Sequence, residues 1–168
     1  PAICNDPGNR DTYDHYGISS CYNILPVGGG SYTLTRIVLP RLAELTDSYD
    51  EFLHVLLPEV LRCMADYMSE RIRFIVEKSG FFESHFLVKE GLIERDRFTA
   101  MFGLVGLAEA ANKFAPEGKK YGNDQEADDI AEEILAAISD FAGAYEAPYC
   151  DISDHRLLLH AQVGIDTD

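Results

Sequence analysis

One cysteine stands in a short segment whose composition could support chemistry. Cys21 follows Ser19 and Ser20, precedes Asn23, and is followed by the triple glycine 28–30. A free cysteine is most often a small buried hydrophobic residue. Here the polar neighbours, and glycines that let backbone or ligand approach closely, favour a reactive thiol. On the residues alone, both interpretations stay open.

The triple glycine is not a nucleotide-binding motif. Gly28–Gly30 is followed by Ser31, Tyr32 and Thr33, without the lysine that a phosphate-binding loop of the Walker type requires. The glycine spacing of a dinucleotide-binding turn is also missing. We therefore expect a tight turn beside the cysteine loop.

The histidines and the other cysteines give weaker signals. His155 and His160 are five residues apart, which does not place them on one face of a helix, so no metal site is predicted. His160, in an apolar run, is expected to be a hydrogen-bonded core histidine. Cys63 is expected in the core, on the apolar face of a long helix. No GxSxG motif supports a serine hydrolase.

Bulk composition limits the class of protein. The 168 residues predict one domain, and a hydrophobic content of 46% suffices for a packed core. The net charge of −15 should repel nucleic acid and anionic membrane surfaces. The acidic stretch 124–133 is expected to be a solvated helix face. No apolar stretch is long enough to span a membrane, and no signal peptide or CxxC pair is present, so we expect reduced thiols and a cytoplasmic protein.

The first part of the chain reads as extended structure. Residues 16–25 predict a strand or an extended finger, and residues 27–30 must turn. Residues 31–39 fit a second strand or the start of a helix, with Thr, Tyr and Val favouring the strand.

The clearest helix signal covers residues 49–79. Ser48 and Glu51 have the spacing of a capping box, and apolar residues recur at helical steps. Pro58 predicts a kink or break near Leu57, and Gly80 predicts the helix end.

The second half alternates an ambiguous apolar run with helices. Residues 101–107 could form a buried strand or a helix start, and 108–114 should be helical. A helix over about 124–142 is predicted, with Asn123 and Glu126 as its capping box and Gly143 at its end. Leu157–Ala161 resembles a short buried run.

Four blocks in the same order resemble a known family. The first block runs from Tyr16 to Arg36 and includes Gly17, Cys21, Asn23, Pro26 and the triple glycine. The others are Phe86–Ile93, then Met101–Gly103 with Gly106–Ala110, and Leu159–Gln162 with Gly164–Ile165. Together they resemble the cysteine-loop region of glycine radical enzymes, a superfamily that includes pyruvate formate-lyase, in its YjjI-type branch.

The resemblance implies an α/β fold that is part of a ten-stranded barrel, predominantly helical in this segment. Residues 1–168 would be a single partial domain, the cysteine-loop half of the barrel. The glycyl radical motif of these enzymes, of the Arg-Val-x-Gly-Tyr type, is absent from this sequence. We therefore expect an interior fragment, inactive alone, whose glycyl radical lies in a missing C-terminal segment. No cofactor would be bound directly.

The resemblance also implies roles for individual residues and partners. Cys21 would be the thiyl radical residue that abstracts hydrogen from an unknown small-molecule substrate, with Ser20 and Asn23 as candidate substrate-binding residues. A radical-SAM enzyme would activate the protein under anaerobic conditions, and we expect a homo-oligomer with no nucleic-acid or membrane partner.

Two departures from better-known members stand out at the cysteine. Pyruvate formate-lyase-like members carry a second, adjacent cysteine, whereas Cys21 is flanked by Ser20 and Tyr22. Dehydratase-like members carry a glutamate two residues after the cysteine, where this chain has Asn23, an amide that can hydrogen-bond but cannot take a proton.

Two alternatives remain at this point. The chain could be a stand-alone acidic helical binding module without catalysis, or part of an anaerobic ribonucleotide reductase-like enzyme. An interrupted barrel would leave strand edges unpaired, so we expect the isolated chain to depend on self-association or on the missing segments.

Overall fold

The computed structural model describes residues 15–18 and 24–160, which form a small hairpin followed by a mixed α/β unit. The strands are β1 (Tyr16–Ile18), β2 (Ile24–Pro26), β3 (Gly30–Val38), β4 (Phe98–Val105) and β5 (Leu158–His160). The α-helices are α1 (Leu39–Ala43), α2 (Tyr49–Glu51), α3 (Leu57–Glu77), α4 (Phe81–Ser84), α5 (Phe86–Lys89), α6 (Leu107–Phe114) and α7 (Gln125–Ala144).

The sheet is parallel, with strand order β3-β4-β5. Helices α1–α5 connect β3 to β4, and α6 and α7 connect β4 to β5, as parallel pairing requires crossover connections. The expected α/β class and the helical excess are confirmed. The ten-stranded barrel stays a prediction for the whole protein.

Two segments that sequence patterns left ambiguous, 31–39 and 101–107, lie mostly in the neighbouring strands β3 and β4, and Leu39 and Leu107 begin the helices that follow. Leu34 pairs with Met101 and Ile37 with Leu104, after a register shift between Ser31 and Thr33. Their β-branched and aromatic residues suit a sheet that is buried between other elements.

One face of the sheet packs against the long helices α3 and α7. Phe102 of β4 contacts Phe141 of α7, with ring centroids 6.0 Å apart. The fully buried side chains of the two helices repeat at helical spacing. They are Leu57, Leu61, Ala65 and Met68 in α3, and Ala127, Ile134 and Ile138 in α7. The acidic residues Glu126, Asp129, Glu132 and Glu133 are exposed, as expected for a solvated face.

The long helical segment begins as predicted. The Ser48 hydroxyl accepts a hydrogen bond from the Glu51 backbone N–H at 3.2 Å. The irregularity expected near Leu57 is a π-helical segment, Phe52–Leu56. It ends two residues before Pro58, whose ring nitrogen cannot donate to the preceding turn. Helix α3 then runs to Glu77, three residues before Gly80, which adopts a left-handed φ of 67°.

The predicted ends of α7 are wrong at both positions. Asp124, not Asn123, is the residue before the first turn. Its carboxylate accepts a hydrogen bond from the Lys120 backbone N–H at 3.0 Å and contacts Lys119 Nζ at 3.3 Å, which fixes the preceding loop instead. Gly143 lies inside the helix, which continues to Ala144.

The prediction that Cys63 lies in the core is wrong, and the buried cysteine of the described residues is Cys150. Cys63 is exposed, because it lies off the line of Leu61 and Ala65 that faces the core. Cys150, which gave no signal in the sequence, is fully buried, and burial raises the pKa of its thiol to about 12. Among the described residues, no helix combines the length and the apolar character needed to cross a membrane.

Candidate functional site

The hairpin formed by β1 and β2 carries the cysteine segment. Tyr16 pairs with Pro26, and Ile18 pairs with Ile24, in antiparallel register. The five residues between the strands are therefore 19–23, and the middle one by count is Cys21. Cys21, Ser20 and Asn23 themselves lie outside the described residues, so their predicted roles stay predictions.

The base of the hairpin is closed by a glycine turn. The Val27 N–H donates to the His15 carbonyl at 2.9 Å, and the Gly29 N–H donates to the Pro26 carbonyl at 3.1 Å. Gly28 has a φ of 80°, a conformation that side chains disfavour. The turn predicted at 27–30 is confirmed.

The same turn is fastened to the segment that leads into β4. The Glu94 N–H donates to the Gly28 carbonyl at 2.8 Å, and Arg97 Nε donates to the Val27 carbonyl at 2.7 Å. A Cβ atom on Gly29 would lie 1.7 Å from the Arg97 carbonyl oxygen, so only glycine fits there. These contacts fix the base of the hairpin relative to the sheet.

Apart from the hairpin, the sheet face opposite the long helices carries the polar residues Arg36 and His160. Because Phe102 points toward α7, its neighbour Gly103 lies on the opposite face. In register with Gly103 are Arg36 on β3 and His160 on β5. We call this surface the helix-free face.

Gly103 makes room for the Arg36 side chain. A Cβ atom on Gly103 would lie 2.6 Å from Arg36 Cγ and 3.5 Å from Arg36 Cδ. The aliphatic stem of Arg36 therefore lies across the central strand. This position brings its positive charge close enough to influence His160.

His160 is buried without a hydrogen-bond partner. Its side chain is 2% exposed, and neither Nδ1 nor Nε2 has a partner among the described residues. The prediction of a hydrogen-bonded core histidine is wrong in this respect. Buried polar groups are normally paired, as Thr99 is with Ser153 at 3.0 Å between hydroxyl oxygens.

The environment of His160 favours its neutral form. Burial lowers the pKa of His160 below its ordinary value of 6.5, and the Arg36 charge lowers it further. A neutral imidazole has one N–H donor and one nitrogen acceptor. His160 can therefore donate or accept a hydrogen bond at neutral pH without carrying charge.

Replacing Arg36 with methionine is expected to raise the pKa of His160, since a nearby positive charge is removed while burial remains. The pKa should stay below 6.5 in both proteins. The pH dependence of C2-hydrogen exchange at His160, measured by mass spectrometry on the full-length protein, checks this. Arg41→Met, in an exposed arginine paired with Glu44, is the control and should leave the pKa unchanged. An equal pKa in the Arg36→Met protein would contradict the assigned electrostatics.

The sequence patterns do not predict that Arg36 and His160 lie close to each other. His160 was singled out only as a core residue, and Arg36 only within the block that resembles the family. Their proximity depends on the parallel register of three strands from distant parts of the chain. The glycine at position 103 was the one local signal, because glycine inside a strand often marks a close approach.

The fold is similar to part of the anaerobic ribonucleotide reductase of Thermotoga maritima. The Thermotoga maritima enzyme crystallised with citrate in the active site superposes with a TM-score of 0.61, at 20% identity, covering 80% of this chain and 24% of that one. The same enzyme with glycerol in its active site gives a TM-score of 0.60, at 20% identity, over 79% of this chain and 22% of that one. At this identity the likeness shows the fold alone.

The sequence comparisons define the family more narrowly. The model for YjjI-like glycyl radical enzymes matches residues 1–168, and the chain therefore belongs to the glycyl radical enzyme YjjI-like family. This confirms the resemblance found from the four sequence blocks and supports an enzyme lineage over an independent binding module.

Two relatives show how much of a whole protein this chain represents. An uncharacterized protein of Haemophilus influenzae is 44% identical over 168 residues, which cover 98% of this chain and 33% of that protein. The uncharacterized protein YjjI of Escherichia coli K12 is 38% identical over 173 residues, covering 100% of this chain and 33% of that protein. The chain thus spans about one third of the length of these relatives.

Proposed function

We propose that this chain supplies the thiyl radical residue, Cys21, of a glycyl radical enzyme that abstracts hydrogen from a small molecule. The observation that carries the proposal is the register of the β1–β2 hairpin, in which Cys21 is the central residue of the connection. Membership of the glycyl radical enzyme family supports it. On its own, the chain would be inactive, because the residue that stores the radical belongs to another segment.

The reaction at Cys21 is a pair of hydrogen-atom transfers. The Sγ–H bond breaks homolytically, and the hydrogen atom goes to the carbon-centred glycyl radical of the missing segment. The sulfur-centred radical then takes a hydrogen atom from a substrate C–H bond, which restores the thiol and leaves the radical on the substrate carbon. Each transfer moves one hydrogen nucleus and one electron, so no external oxidant is needed.

This chemistry requires a neutral thiol in a closed, dry cavity, because water and oxygen would divert the radical. In our proposal the helix-free face of the sheet forms one wall of that cavity. It carries the buried side chains of Met101 and His160, on the side of the sheet opposite Phe102. The remaining segments of the whole protein would complete the enclosure.

The residues next to Cys21 argue against two related reactions. Acyl transfer to a neighbouring thiol would need a second cysteine, but Ser20 and Tyr22 flank Cys21. A general base two residues later would need a carboxylate, but Asn23 is an amide. We retain Ser20 and Asn23 as substrate-binding residues that hydrogen-bond a substrate oxygen.

The proposal includes the setting in which the protein would work. A radical-SAM enzyme would generate the glycyl radical, and the whole protein would act as a homo-oligomer in an anaerobic cytoplasm. A nucleotide substrate is less compatible with the net charge of −15, since a polyphosphate would be repelled. We therefore favour a substrate of low charge.

The test separates radical storage from radical use. The full-length protein is activated anaerobically, as wild type and as Cys21→Ala, and its glycyl radical is counted by electron paramagnetic resonance. The variant should form the radical in the same yield, because storage takes place on another segment. Loss of the signal in the variant, with Cys63→Ala unaffected, would contradict the separation of roles.

A further inference from the structure

We propose that Arg36 and His160 bind a small organic acid on the helix-free face, with the carboxylate on Arg36 and a hydroxyl or carbonyl group on His160. The inference rests on the proposed function only in taking this acid to be the substrate. The binding itself is independent of radical chemistry.

The unpaired imidazole of His160 is the first observation. Leaving a buried polar group without a partner destabilises the folded protein, so such a group calls for an explanation. Both ring nitrogens of His160 lack hydrogen-bond partners among the described residues, although His160 is only 2% exposed. A ligand with an oxygen at this point would satisfy one of them.

The unpaired guanidinium of Arg36 is the second observation. Arg36 is exposed and makes no ion pair with any residue between 24 and 160. A guanidinium matches the geometry of a carboxylate, to which it can donate two parallel hydrogen bonds. Arg36 is thus available to hold an anionic group.

Gly103 sets the distance between the two groups. Arg36 and His160 both pair with Gly103, so their Cα atoms are separated by two strand spacings of about 4.8 Å each. The Arg36 stem crosses the gap above Gly103, which shortens the distance that a ligand must span. A ligand of a few carbon atoms would therefore be long enough to bridge the guanidinium and the imidazole.

The neighbouring row of the sheet defines the apolar side of the site. Leu34, Met101 and Leu158 are in register with one another, one step along the same face. They can contact the carbon atoms of a short ligand while its polar groups face Arg36 and His160. The net charge of −15 further favours a singly charged acid over a multiply charged one.

The experiment measures binding in the full-length protein without the radical. Acetate, glycolate, lactate and glycerate are the test acids, and 1,2-propanediol and inorganic phosphate are the comparison ligands. Two readouts are used: C2-hydrogen exchange at His160, and ligand signals in saturation-transfer NMR. The variants are Arg36→Met, His160→Phe and His160→Gln, with Arg41→Met and Cys63→Ala as controls.

We expect at least one hydroxy acid to slow exchange at His160 at least threefold and to bind more tightly than the diol. Arg36→Met and His160→Phe should weaken binding at least tenfold, and His160→Gln should restore part of it, because the amide keeps a donor and an acceptor. Arg41→Met and Cys63→Ala should bind as wild type does.

Three outcomes would overturn the inference. These are no binding by any of the four acids, equal protection by the acids and the diol, and tighter binding of phosphate than of every acid. Because the binding assay is run without the radical, failure here leaves the radical role of Cys21 standing. Conversely, failure of the radical tests leaves this site standing.

Discussion

Replacing Cys21 with alanine is expected to abolish substrate consumption by the activated full-length enzyme, by a factor on the order of 10³ or more. Alanine has no S–H bond, so the radical cannot leave the glycine and reach the substrate. Cys21→Ser should fail as well, because a hydroxyl does not replace a thiol as a hydrogen-atom donor. Anaerobic incubation with a pool of cell metabolites, followed by mass spectrometry, identifies what the wild type consumes and the variants do not.

Cys63→Ala is the matched control for this experiment. Cys63 is an exposed cysteine on α3, outside the hairpin, and its replacement should leave consumption near the wild-type rate. Equal activity in Cys21→Ala and Cys63→Ala would show that the chemistry does not pass through Cys21.

Replacing Gly29 with alanine is expected to destabilise the hairpin by about 3 kcal/mol, the upper range for overpacking. The new Cβ would overlap the Arg97 carbonyl oxygen, a backbone atom that cannot rotate away. The turn would have to shift and would lose the contacts of Gly28 with Glu94 and of Val27 with Arg97. Backbone amide exchange of Val27 and the β1–β2 residues, measured on the full-length protein, should become at least tenfold faster.

Gly17→Ala provides the comparison within the same hairpin. A Cβ atom at Gly17 meets no atom of the described residues within 4 Å, so its effect on stability should stay within about 0.5 kcal/mol. If Gly29→Ala left amide exchange as slow as in Gly17→Ala, the turn would not fix the hairpin as described.

The parts of the fold that could be predicted from the sequence are those governed by local signals. The Ser48 cap, the irregularity before Pro58, and the turn at 27–30 each follow from the properties of a single residue type. The ends of α7 could not be predicted because more than one nearby residue has the properties of a helix cap. Asp124 is held by the preceding loop, and Gly143 is tolerated inside a helix.

The candidate site could be predicted only in part. Cys21 was identified from its neighbours and from the family resemblance, both of which are contiguous in sequence. The Arg36–His160 arrangement was missed, because strand register, not sequence spacing, brings these residues together. The environment of Cys63 was misjudged for a related reason, since helical periodicity alone does not define the width of the apolar face.

The most direct test of the central claim is hydrogen exchange at the stored glycyl radical. The thiol hydrogen of Cys21 exchanges with solvent, so in D₂O a reversible transfer between the glycine and Cys21 replaces the glycine α-hydrogen with deuterium. In the wild-type enzyme the paramagnetic resonance doublet caused by that hydrogen should collapse to a single line. In Cys21→Ala the doublet should persist. Collapse at the same rate in both proteins would contradict the role of Cys21 as the thiyl radical residue.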